Sequence, residues 1–148
     1  MNEQAEQIGR ICTEFACGLR RILPGKLYAA YVYGAAAFPD DMPTGDIDFH
    51  VIVTGPLDED ERSRLYEMHD SLARDYPPLG VDMDGYYLLL SDAGRSRPPQ
   101  SQMWQRATDH SWALHREHML AGRVIVLHGP DPSEVYPPAT WPERRSRD

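Results

Sequence analysis

Residues 45–53 read GDIDFHVIV, which places two carboxylates at the head of an apolar and largely β-branched run. Such a run predicts a strand over Ile47–Val53, because β-branched side chains favour strands. Asp46 and Asp48 lie two residues apart, and alternate residues of a strand share a face. The pair suits a hard divalent cation, since Mg²⁺ takes oxygen ligands and is usually shared between one or two carboxylates and the phosphates of a substrate.

The segment just upstream adds a glycine turn. An apolar run over residues 27–33 predicts a strand, and residues 33–38, YGAAAF, place Gly34 at its end. Glycine allows the backbone to come close to a phosphate tail. An isolated Asp-x-Asp is common in acidic turns, and an isolated Gly-Ala-Ala is usually only a tight turn. The ordered string of strand, glycine turn, short connection, acid pair and second strand favours nucleotidyl transfer.

This string resembles the motif of the polymerase-β-type nucleotidyltransferase superfamily, which is a Gly-Ser turn, a short spacer, and Ser-Asp-x-Asp followed by an apolar strand. Gly34 and the acid pair match the motif. Ala35 stands at the position of the turn serine, and Gly45, preceded by Thr44, stands at the position of the serine before the first aspartate. The resemblance implies that Gly34, Ala35, Thr44 and Gly45 bind the phosphates of a nucleotide.

A third carboxylate is expected on a later strand, predicted over residues 81–90. Asp82 and Asp84 both begin this run and share a face, because they are two residues apart. Residues 83–88, MDGYYL, are similar to the third-acid strand of the streptomycin/spectinomycin-type aminoglycoside adenylyltransferases. That resemblance favours Asp84, with Asp82 as the alternative.

Residues 123–132, RVIVLHGPDP, are similar to the short strand and Gly-Pro turn that close the nucleotidyltransferase domain in the same group. The resemblance spans about residues 28–138. It implies an α/β (α+β) nucleotidyltransferase fold, with a mixed sheet of about four to five strands flanked by helices. We expect this domain to cover residues 1–136, with a Pro/Arg-rich tail at 137–148 that frays, and with no counterpart of the group's C-terminal helical domain.

Helical periodicity and capping residues predict the remaining elements. Apolar residues recur at helical spacing over residues 3–23, and Asp58 is a candidate N-cap for a helix that runs to about Asp75. A loop over residues 91–100, a helix over 101–121 and a strand over 124–127 follow. We expect His50 to pack in the core, on the opposite face of its strand from Asp48.

The predicted helix over residues 101–121 carries Glu117. The antibiotic-modifying relatives use a glutamate on a helix in this region, which makes Glu117 a candidate general base for the acceptor hydroxyl. His110, His115 and His118 lie on the same stretch. No cysteine or acidic residue stands at ligand spacing from them, so we interpret them as surface or helix-end residues rather than a zinc site.

Composition limits the class of protein. A chain of 148 residues with 41% hydrophobic content is long enough for one packed domain. The net charge of −8 argues against a nucleic-acid footprint, which needs clustered Lys and Arg, but it suits a cationic acceptor. No stretch has the length of a membrane span or the pattern of a leader, so a cytoplasmic location is expected by default.

These features predict a Mg²⁺-dependent nucleotidyltransferase that uses ATP as its donor. Asp46, Asp48 and Asp84 would hold two Mg²⁺ ions, and AMP would pass to a hydroxyl of a small acceptor, which by resemblance is an aminoglycoside, as in antibiotic resistance. The alternative is a catalytically weak or inactive module, either a nucleotide sensor or an antitoxin-like partner of a small helical protein. Ala35 favours this alternative. A homodimer with the acceptor pocket between two copies is a third arrangement.

Overall fold

The computed structural model describes residues 3–33, 47–77, 79–80, 83–93 and 124–135. The helices are α1 (Glu3–Ile22), α2 (Glu59–Asp75) and the short α3 (Leu90–Ala93), and a 3₁₀ turn spans Pro132–Glu134. The strands are β1 (Leu27–Tyr33), β2 (Ile47–Val53), β3 (Met83–Leu89) and β4 (Val124–His128). None of the helices in these ranges is both long enough and apolar enough to span a membrane.

The four strands form one mixed sheet in the order β3-β2-β1-β4. β2 and β3 are parallel, whereas β1 runs antiparallel to both β2 and β4. The predicted α/β class with a mixed sheet is therefore confirmed. The predicted ranges for α1, β1, β2, α2 and β4 agree with the structure to within one residue at each end.

The sheet has a helix face, which packs against α1 and α2, and a far face on its other side. Residues of each strand alternate between two apolar clusters, as strand geometry requires. The helix-face cluster includes Ile11, Phe15, Leu19, Val32, Phe49, Val51, Leu65, Met68 and Tyr87. The far-face cluster contains Ala29, Tyr31, Tyr33, Ile52, Tyr86, Leu88, Ala93 and Val135.

Local sequence explains where the two long helices begin and end. Acidic residues occupy the first turn of α1 and arginines its last turn, which complements the helix dipole. Asp58 caps α2 as predicted: its side chain accepts from the Glu61 amide, and the Glu61 side chain accepts from the Asp58 amide. This reciprocal box satisfies two backbone donors that the first turn of a helix leaves unpaired.

One boundary differs from the prediction. The strand was expected to continue through Leu90 and a loop to begin at Ser91, but β3 ends at Leu89 and Leu90 opens α3. The turn into α3 buries Ala93 completely in the far-face cluster, which an extended loop would not do. The rest of that loop, the predicted helix over 101–121 and the tail over 137–148 lie outside the described residues, so the domain boundaries remain predictions.

A polar contact lies inside the helix face. His69 Nε2 and the Tyr87 hydroxyl are 2.7 Å apart, and they join α2 to β3. The imidazole is 2% exposed and packs among the rings of Phe15 and Phe49, each with its centroid 5.5 Å away. Burial lowers the pKa of His69 to about 4 and raises the pKa of Tyr87 well above its ordinary value. Both groups are therefore neutral in the folded protein near pH 7.

Acid should destabilise the protein through His69. Its pKa falls from 6.5 in the unfolded chain to about 4 in the fold, so the neutral form is favoured by folding and stability is lost as the pH falls through this window. We expect the His69 contribution to fall by about 3 kcal/mol between these pH values. Urea unfolding of the wild type and of His69→Leu/Tyr87→Phe at several pH values measures it. If the free energy of unfolding falls equally with pH in both proteins, His69 is not the source of the acid sensitivity.

Gly85 brings β3 close to β2. A Cβ atom at this position would collide with the carbonyl oxygen of Phe49 and lie 2.8 Å from two atoms of its ring. Only glycine permits this approach, which sets β3 against β2 on the helix face. The residue lies between Asp84 and Tyr86, so its packing also determines where the start of β3 sits.

We expect Gly85→Ala to destabilise the fold by about 1–3 kcal/mol, the usual range for overpacking a core. Gly9 is the matched control, because it is exposed on α1 with no atom near its missing Cβ. Gly9→Ala should stabilise the protein by about 0.5–1 kcal/mol through helix propensity. Thermal and urea unfolding of both variants give the values. A neutral Gly85→Ala would show that this approach does not constrain β3.

Candidate functional site

Two predicted site residues occupy paired positions on neighbouring strands. In the parallel β2–β3 pair, the Cα of Asp48 is the register partner of the Cα of Asp84. Neighbouring strands lie about 4.8 Å apart, so the two backbones are adjacent. On the other side of β2, Asp48 pairs with Tyr33, the last residue of β1. Tyr33, Asp48 and Asp84 thus form one row across three strands, which we call the acid row.

The acid row lies at one end of the sheet, on the far face. β1 ends there, while β2 and β3 both begin there. Asp48 lies between Ile47 and Phe49, which belong to the helix-face cluster, so Asp48 lies on the opposite, far face. It is only partly buried. A charged residue is tolerated at this point because it lies at a strand end that is partly open to solvent.

The structure thus places the backbones of two predicted site residues side by side, and their roles as metal ligands stay predictions. Gly34, which follows Tyr33 directly in the sequence, lies outside the described residues. The same is true of the other predicted site residues, namely Ala35, Thr44, Gly45, Asp46, Asp82 and Glu117.

Three aromatic rings form a second row next to the acid row, on the same face and toward the middle of the sheet. They belong to Tyr33, His50 and Tyr86. His50 is fully buried, and its ring centroid lies 5.1 Å from that of Tyr33 and 5.3 Å from that of Tyr86, both in edge-to-face geometry. The prediction that His50 packs in the core is confirmed. The prediction that it lies opposite Asp48 is wrong, because residues two apart in a strand share a face. The alternation rule, applied to positions 48 and 50, predicts that both residues lie on the same face.

The β4 side of the far face is closed by a hydrogen bond. The Tyr31 hydroxyl donates to the Pro130 carbonyl oxygen at 2.6 Å, and burial, followed by the nearby Asp131 carboxylate, raises the pKa of Tyr31. Gly129 takes a φ of 84°, which suits glycine, at the start of this turn. The predicted Gly-Pro turn after β4 is therefore present and is anchored to β1.

The residue types of the acid row fit a hard cation. Aspartates supply the carboxylate oxygens that Mg²⁺ prefers as ligands. Within the described ranges, no group of three or more His, Cys, Asp and Glu residues is placed to hold a metal ion. Asp46, the third ligand that the sequence predicts beside Asp48 and Asp84, lies outside those ranges.

Several surface grooves are lined by described residues of the helices. They run along the outer sides of α1 and α2, with Arg10, Glu14 and Tyr76 among their lining residues. Those residues belong to the helical layer and not to the far face. We place the candidate site at the acid row on the basis of its chemistry.

Among solved structures, the protein is similar to the spectinomycin adenyltransferase AAD(9) from Enterococcus faecialis, crystallised with ATP and spectinomycin, with 17% identity and a TM-score of 0.66. It therefore has the nucleotidyltransferase fold, as the sequence resemblance predicts. The match covers 98% of this chain and 63% of that chain, so this protein spans under two thirds of the adenyltransferase. No family model and no curated protein matches the sequence.

Two further similar structures are toxin–antitoxin proteins. One was crystallised with AMP-PNP, with 17% identity, a TM-score of 0.39, and coverage of 80% of this chain and 77% of that chain. The other is a mutant of the toxin–antitoxin MntA-HpeT, with 16% identity, a TM-score of 0.39, and coverage of 80% and 76%.

Proposed function

We propose that the protein is a Mg²⁺-dependent nucleotidyltransferase that transfers AMP from ATP to a hydroxyl of a small acceptor. The observation that carries the proposal is the register of Asp48 beside Asp84 at the end of a parallel strand pair. Like charges at directly paired positions destabilise a sheet. A cation bound at these positions would offset that repulsion, which supports a cation site at the acid row.

Two further observations support this proposal. The similar adenyltransferase was crystallised with ATP and spectinomycin. The net charge of −8 suits a cationic acceptor of the aminoglycoside class through general electrostatics. These two observations support the donor nucleotide and the acceptor class that we propose.

The residues have separate tasks in the proposed reaction. Asp46, Asp48 and Asp84 would hold Mg²⁺, which would supply positive charge to neutralise the phosphates. Gly34, Ala35, Thr44 and Gly45 position the phosphates through their backbone and short side chains.

The transfer itself forms one bond and breaks one bond. The acceptor oxygen bonds to the α-phosphorus of ATP, and the bond from that phosphorus to pyrophosphate breaks. Glu117 takes the proton of the acceptor hydroxyl. The protein contributes position and charge rather than covalent chemistry, as in other phosphoryl-transfer enzymes.

A second function is favoured by one sequence observation. Ala35 replaces the serine that the family motif places after the turn glycine, which removes a hydroxyl donor for the triphosphate. A module that binds nucleotide or a protein partner without transfer would tolerate this replacement. Nucleotide binding without adenylylation of any acceptor would favour this second function.

Asp48→Asn should abolish Mg²⁺-dependent nucleotide binding with little loss of stability, because the amide keeps the shape of the carboxylate but not its charge. We expect ATP affinity in the presence of Mg²⁺ to fall by at least about 100-fold, since residues that merely support metal ligands already contribute 10- to 100-fold. Isothermal titration with each nucleoside triphosphate, with and without Mg²⁺, measures it.

Asp70→Asn is the matched control for this experiment, because Asp70 is an exposed aspartate on α2. It should bind MgATP like the wild type. Unchanged MgATP binding in Asp48→Asn would refute the role of Asp48, and no binding of any nucleotide by the wild type would refute the proposed function.

Ala35→Ser should tighten MgATP binding, because the new hydroxyl can donate to a charged phosphate oxygen. A hydrogen bond to a charged group contributes about 1.5 kcal/mol or more, which corresponds to roughly tenfold in affinity. Ala36→Ser adds the same group one position later and should have no such effect. Titration of the two variants with MgATP compares them. An equal response of both variants would show that position 35 does not contact the nucleotide.

A further inference from the structure

The row of rings behind the acids connects the strands that carry the site. Tyr33 belongs to β1, His50 to β2 and Tyr86 to β3, and the central imidazole meets the edge or face of a ring on each side. The exposed fractions are 2%, 0% and 1%, so the three rings are packed away from water. Edge-to-face aromatic pairs favour one relative placement of their rings beyond simple burial.

Register ties this row of rings to the acid row. His50 pairs with Tyr31 in β1 and with Tyr86 in β3. Each of these partners lies two residues along its strand from the partner of Asp48. Same-face neighbours in a strand are about 6.6 Å apart along the strand. The imidazole therefore occupies the position next to Asp48 on the same face, toward the middle of the sheet.

The side-chain contacts that join β2 to β3 differ between the far face and the helix face. On the helix face, Gly85 packs against Phe49, and Tyr87 bonds to His69 from α2. On the far face, the His50–Tyr86 ring pair joins the same two strands one step from Asp48 and Asp84. Loss of the central ring would remove the aromatic contacts to both neighbouring strands at once.

We propose that His50 is a positioning residue for the acid row: its ring, held between Tyr33 and Tyr86, keeps the starts of β2 and β3 in the register that places Asp48 beside Asp84. This inference rests on the proposed function for its effect on nucleotide binding. Its structural part, the order of the acid row, can be measured without any ligand.

His50→Ala removes the central ring and His50→Phe restores one. We expect His50→Ala to speed amide hydrogen exchange at residues 48 and 84 and to weaken MgATP binding by about 10- to 100-fold, the range seen when support for metal ligands is lost. His50→Phe should recover most of both losses. If His50→Ala does not fold, Tyr86→Leu removes an outer ring from the same row and should have the same two effects.

His69→Ala is the matched control. His69 is also a buried imidazole among aromatic rings, but it lies on the helix face and contacts Tyr87 rather than the acid row. We expect it to lower the melting temperature at least as much as His50→Ala. It should leave MgATP affinity and exchange at residues 48 and 84 close to those of the wild type.

The outcomes separate the positioning role from a merely structural one. If His50→Ala and His69→Ala change exchange at residues 48 and 84 to the same extent for equal losses of stability, or if neither changes it, the positioning role of His50 is overturned. A wild type that binds no MgATP would overturn the proposed function. In that case, the exchange data alone would still decide whether His50 orders the acid row.

Discussion

The parallel pairing of β2 with β3 is the constraint on which the candidate site depends. It places Asp48 beside Asp84 at a sheet end where β1 also arrives, just before Gly34 in the sequence. A one-residue slip of β3 would move Asp84 to the helix face, because side chains alternate along a strand. The site therefore requires a specified register and not only two acids.

The two faces of the sheet contribute in different ways. The helix face supplies most of the burial, with α1 and α2 covering the larger cluster, and on this face Gly85 packs against Phe49 and Tyr87 contacts His69. The far face carries the acid row and the rings behind it. Stability and the candidate chemistry are thus largely assigned to opposite sides of the same strands.

Sequence predicted the elements whose signals are local. The periodicity of α1, the Asp58 capping box and the β-branched run of β2 each specify their own structure, and the structure agrees with them. The pairing of Asp48 with Asp84 was not predicted, because nothing local in residues 83–89 states which strand is their neighbour; the family resemblance only favoured Asp84 as the third carboxylate. The end of β3 was missed because the burial of Ala93 is a tertiary contact that a one-dimensional pattern does not contain.

A crystal structure with Mn²⁺ and a non-hydrolysable ATP analogue would test the central claim most directly, because the anomalous signal of Mn²⁺ locates the metal. The account predicts a peak roughly 2.2 Å from carboxylate oxygens of Asp48 and Asp84, the distance typical of a small hard cation, with the nucleotide phosphates beside it. A metal and nucleotide bound away from the acid row, or an acid row with no metal beside a bound nucleotide, would contradict it.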